Sequence, residues 1–205
     1  MLILYGIGVI LFTIILNTFF ERYIMNNTDD LLLYVKGSYK DKSLILINFI
    51  ELILGLIVGF NTFFVFYYFV IFILYKICEI DIKTKTIDNK LFIILIILAA
   101  MSTFISNTSV ISDKILTCVT SLILFVLLSK VTRNGFGMGD AKVIGVLGFI
   151  LGLQGLMAVL IISSILVFIV GIIMIIKSFS NRKKDLPFTP FMLFSVILLL
   201  IANNM

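Results

Sequence analysis

The chain contains no histidine, only two cysteines in 205 residues, and few charged groups, with 13% of its residues Asp, Glu, Lys or Arg. With no imidazole, and with Cys78 and Cys118 each inside an apolar stretch, zinc, haem and disulfide frameworks are not expected, and no metal site is assigned. The two thiols read as small buried hydrophobes. The start, Met1-Leu2-Ile3-Leu4, lacks the positive region and the small-residue cleavage site of a secretory signal, so it reads as a retained first span. Short alternating strands are missing too, which excludes a barrel. No stretch looks like a separate soluble domain, and no convincing internal repeat is found.

What is present is apolar. Hydrophobic residues make up 61% of the chain and the mean hydropathy is +1.25, outside the range of soluble globular domains. The chain is therefore read as an all-α, polytopic membrane helix bundle. Eight spans fit, at 2–20, 44–59, 62–80, 91–106, 115–130, 141–153, 156–176 and 190–204. The basic residues sort between the connecting loops. Arg22, Lys36, Lys40 and Lys42 fall in 21–43; Lys83, Lys85 and Lys90 in 81–90; Lys130 and Arg133 in 130–140; Lys177, Arg182, Lys183 and Lys184 in 177–189. The intervening turns hold only Lys114. By the positive-inside rule the four basic loops are cytoplasmic and both termini lie outside. The net charge of +5 thus follows topology and points to lipid, not to nucleic acid.

Between two long apolar segments lies Gly135-Phe136-Gly137-Met138-Gly139-Asp140-Ala141-Lys142. Glycines at alternate positions suit backbone that must approach something closely, and a carboxylate near bilayer depth marks a functional site by default. The plainer reading is a turn with Asp140 as a helix cap and Lys142 reaching for the headgroups. Asp81 ends the third expected span on the same cytoplasmic side. Two carboxylates at matching depth could meet if their helices pack together. Such a pair shares one proton, titrates as a unit and can activate water. Lys76 and Glu79 are about a turn apart and could pair, and snorkelling to the interface accounts for both. Glu51, deeper in the second span, reads as a buried hydrogen-bonding group that orders the bundle.

These stretches resemble the type IV prepilin peptidases, membrane aspartic proteases of the Gly-x-Gly-Asp class. Asp81-Ile82-Lys83-Thr84-Lys85-Thr86-Ile87-Asp88-Asn89-Lys90-Leu91 is similar to the family's Asp-x5-Ile-Pro-Asp/Asn-x-Leu, with Asp81 on the first catalytic aspartate. Gly137-Met138-Gly139-Asp140-Ala141-Lys142 matches Gly-x-Gly-Asp-x-Lys, with Asp140 on the second. Leu186-Pro187-Phe188-Thr189-Pro190-Phe191 is similar to Ile-Pro-Phe-Gly-Pro-Phe, and Leu16-Asn17 to Arg22, with Glu51, to a weaker pattern in the first two spans. The resemblance implies catalytic Asp81 and Asp140, a supporting loop of Gly137, Gly139 and Lys142, and structural or substrate-loop roles for Glu51, Asn89, Pro187 and Pro190. It divides the chain into two N-terminal spans at 1–60 and a six-span peptidase core at 61–205. The implied substrates are prepilin or pseudopilin precursors, cleaved at the cytoplasmic face of a bacterial plasma membrane. Glu79, Asp88 and Asp185 are candidates to attract the basic leader.

Two departures bear on this reading. Asp88 stands where the family usually has proline, leaving the loop less constrained. The 21–43 loop is short and has no cysteine, whereas bifunctional members carry two Cys-x-x-Cys pairs in a large loop there. That puts N-methylation, and any use of S-adenosylmethionine, in doubt; the peptidase reaction itself calls for no cofactor. The rival reading is a transporter in which Asp81, Asp140 and Lys142 handle an ion or protons. A presenilin-like enzyme would need a Tyr-Asp pair, and a nucleotide loop would need a third glycine at position 140. Oligomeric state leaves no mark in the sequence.

Overall fold

The computed structural model describes residues 13–17, 42–59, 62–84, 87–105, 111–132, 136–177 and 186–202. Expectations placed on the remaining residues, among them most of the first span, nearly all of the 21–43 loop, Gly135, Asp185 and the basic run at 182–184, lie outside the described residues. Every regular element among the described residues is a helix. Helical backbone at 13–17 is followed by α1 (Lys42–Val58), α2 (Thr62–Thr84), α3 (Asn89–Ile105), α4 (Ile111–Val131), α5 (Met138–Lys177) and α6 (Thr189–Ala202). The segments Phe63–Ile82, Ile111–Val131 and Met138–Lys177 are long and apolar enough to cross a membrane, while Leu46–Gly55, Asn89–Phe104 and Thr189–Ala202 are shorter apolar helices. This is a membrane protein.

α5 runs for 40 residues, about 60 Å at 1.5 Å per residue and twice a hydrocarbon core. It is not continuous. Gly152 has φ 70° and ψ −179°, a conformation that residues with a Cβ essentially never adopt. Two consecutive helices result, 138–151 and 153–177. The sequence pattern places this turn at Gly155; the structure puts it at Gly152. Gly155 is instead helical, with space for a Cβ only 2.9 Å from that of Leu151.

The chain divides into two compact units, Met1–Phe64 and Val65–Met205. In the first, the buried Thr13 hydroxyl donates to the side-chain carbonyl of Asn48 on α1. Away from water such a bond leaves neither group to compete for solvent, which suits two helices in lipid. In the second unit, the opening half of α5 is the hub. Ala141, Val143, Ile144, Val146, Leu147 and Ile150 are all buried, with α4, α6 and α3 packed against α5. A Cβ on Gly145 would lie 2.3 Å from Leu122 Cγ, so the missing side chain sets how closely α4 and α5 approach. Since lipid tails are as apolar as leucine, this close packing, more than exclusion of water, holds the helices together. Leu116, Val119, Ile123 and Leu127 on α4, and Ile161, Ile165, Phe168, Ile172 and Ile176 on α5, point outward and are exposed. These stripes at helical spacing suit a hydrocarbon environment.

Candidate active site

Asp81 lies in the last turn of α2 and is buried, with 7% of its surface exposed. The Thr189 hydroxyl, from the start of α6, donates to its Oδ2. Asp140 lies in the first turn of α5, where the helix dipole favours negative charge. Helical structure begins at Met138, and the carbonyl of Gly137 accepts from the amide of Ala141 at 3.2 Å. Gly137, and not Asp140, is therefore the cap. The two aspartates line one cavity of about 310 Å³ together with Ile87, Asn89, Phe92, Gly137, Met138, Gly139 and Lys142. One oxygen of Asp140, Oδ1, is buried with no hydrogen-bond partner among the described residues.

The glycines work by close approach. A Cβ on Gly137 would sit 2.7 Å from Asp140 Oδ2, and one on Gly139 would sit 2.8 and 2.9 Å from Cδ1 and Cγ1 of Ile87. Any side chain at 137 would displace the carboxylate; any at 139 would push away the loop before α3. The glycine loop is also tied to α4. The Ser129 hydroxyl donates to the carbonyl of Phe136 at 2.8 Å, and the Phe136 amide donates to Thr132 Oγ1 at 3.3 Å. The Phe136 ring lies between those of Phe125 (centroids 5.4 Å) and Phe188 (5.8 Å).

Asp88 replaces one constraint with another. Its Oδ1 accepts from the Lys90 amide at 2.7 Å and its carbonyl from the Phe92 amide at 3.1 Å, making it the N-cap of α3. Asp88 itself is thereby tied to the start of α3. Asn89 opens α3 on the cavity wall. Lys142 is exposed, lines the cavity and places Nζ 5.8 Å from the centroid of Phe92, a cation–π distance. Pro190 falls in the first turn of α6, where its missing amide costs nothing; Pro187 lies just before that helix.

Several side chains have other employment than the sequence suggested. Lys76 and Glu79 pair at 2.9 Å, as their spacing suggested, and Lys76 is buried at 4% exposure. Glu79 and Asp88 are engaged by a salt bridge and a cap, which weakens their candidacy as leader-attracting groups. Glu51 is buried at 1% exposure, but neither of its oxygens has a hydrogen-bond partner among the described residues. The interhelical bond expected of it falls one turn away, on Asn48. Thr189, Ser129 and Thr132 were not singled out by sequence reasoning. Their only local signal is a hydroxyl at an apolar helix or its end.

A model of the type IV leader peptidase family matches residues 67–172, just over half of the chain. The chain belongs to this family. The match contains both Asp81 and Asp140, and membership makes the protein a protease with prepilin-like substrates in general. Comparison with curated proteins and with solved structures returned no match.

Proposed function

We propose that this leader peptidase is a membrane-embedded aspartic endopeptidase, which removes the short basic leader of prepilins or pseudopilins at the cytoplasmic face of the bacterial plasma membrane. The observation that carries the reading is the meeting of Asp81 and Asp140, from different helices, on one cavity beside a glycine-rich turn. Two carboxylates brought within a few ångströms of each other share a proton. The ionised partner takes a proton from water as the water oxygen attacks the scissile carbonyl carbon, and the protonated partner gives its proton to the carbonyl oxygen. Collapse of the tetrahedral intermediate then breaks the C–N bond, and the amine leaves with a proton from the pair. The pair acts as a unit, so base and acid are not assigned separately.

Helical residues 13–17, α1 to α4, the two halves of α5, and α6 supply the eight spans of the proposed topology. The basic loops face the cytoplasm. A scissile bond at the membrane face can then unwind into the wet cavity while the following helix stays in lipid. The peptidase step needs no cofactor or metal, and S-adenosylmethionine enters only if methylation is retained. The test is co-expression with a tagged precursor bearing a basic leader, comparing wild type with Asp81→Asn and Asp140→Asn. Processing by wild type and an intact precursor with either variant supports the reading. Equal processing by all three removes it.

A further inference from the structure

Asp81 is one of two carboxylates on the cavity, and the structure gives it a partner that Asp140 lacks. Thr189 is 3% exposed and donates its hydroxyl to Asp81 Oδ2 across 108 positions of sequence. It stands in the Leu186 to Phe191 segment where the resembling motif has glycine. Phe188, beside it, packs its ring 5.8 Å from that of Phe136, within the glycine-rich loop that leads into Asp140. A single short segment thus touches both halves of the site, Asp81 through a hydroxyl and the Asp140 turn through an aromatic pair.

We infer that Thr189 is a positioning residue for Asp81. By occupying Oδ2 as a donor it sets the plane of the carboxylate and leaves Oδ1 as the oxygen free to share a proton with Asp140 or to take one from water. Lys142 and Asp140, from α5, and Cys78, one turn back on α2, are the other ionisable neighbours; none of them supplies this donor. The inference rests on the aspartic reading above, which assigns the reaction to this pair.

The experiment measures cleavage kinetics of purified wild type, Thr189→Val, Thr189→Ser, Thr189→Gly and Asp81→Asn in lipid nanodiscs. The substrate is a synthetic precursor with a basic leader and an apolar helix. Valine keeps the branched shape and removes the donor; serine keeps the donor. Thr189→Val and Thr189→Gly are expected to lower kcat roughly 10- to 100-fold, the range for a lost hydrogen bond to a charged group, with KM little changed. Thr189→Ser is expected to stay within a few-fold of wild type. A wild-type kcat in Thr189→Val, a serine variant as slow as the valine one, or a loss confined to KM would overturn the inference. If Asp81→Asn is inactive while Thr189→Val is normal, only the inference falls. If Asp81→Asn cleaves normally, the aspartic reading falls and takes the inference with it.

Discussion

Substituting Gly139 by alanine tests whether close approach, and not flexibility, is what the glycine loop contributes. The new Cβ would lie 2.8 Å from Cδ1, 2.9 Å from Cγ1 and 3.3 Å from Cβ of Ile87. Carbon atoms pack comfortably at about 3.5–4.0 Å, so the two worst contacts are short by roughly 0.6 Å. Swinging the terminal methyl relieves only one of them. Cγ1 and Cβ sit near the backbone, so the loop at 87–88 or the first turn of α5 must move. Overpacking of this kind costs about 1–3 kcal/mol, partly offset by up to ~1 kcal/mol from alanine's better helix propensity. The functional cost is larger, because Asp140 is the next residue and a misplacement of about 1 Å at a reacting group can cost ~100-fold. A shift of about half that size predicts a loss on the order of 10-fold in cleavage rate, with a melting temperature lowered by only a few degrees. Ile87→Ala removes Cγ1 and Cδ1, so the double variant Gly139→Ala/Ile87→Ala recovers most of the lost rate. The assay is precursor cleavage in nanodiscs, paired with thermal unfolding. Full activity in the single variant, or a double variant no faster than the single, would refute the close-approach argument.

Two further outcomes follow from local geometry. Gly152→Ala forces a Cβ into a conformation reserved for glycine and costs about 1–3 kcal/mol, whereas Gly171→Ala, with nothing within 4 Å of its new Cβ, is neutral or gains up to ~1 kcal/mol; thermal unfolding in detergent ranks the two, and equal melting points would remove Gly152 as the cause of the break. Asp88→Ala removes the α3 cap and lowers stability by about 1 kcal/mol, while Asp88→Asn, which retains the acceptor, stays near wild type; a melting curve unchanged by alanine would show that the cap contributes nothing.

Composition and periodicity alone determined the class of this protein. A chain with 61% hydrophobic residues and its lysines and arginines gathered in alternate loops has little choice but a helical bundle in lipid, because only intrasegment hydrogen bonding satisfies a spanning backbone. Asp81 and Asp140 were legible for the same reason, since a carboxylate at the end of an apolar run has to be explained. The helix ends were less so. The turn in α5 fell at Gly152 and not at Gly155, because two nearby glycines look alike until one of them takes a positive φ. What the tertiary structure decided were contacts between residues far apart in the chain. Thr189 reaches Asp81, Ser129 holds the loop carbonyl of Phe136, and Gly139 makes room for Ile87. A hydroxyl or a missing side chain has no meaning in one segment by itself. It acquires one only when packing brings a carboxylate, a carbonyl or a methyl group within reach.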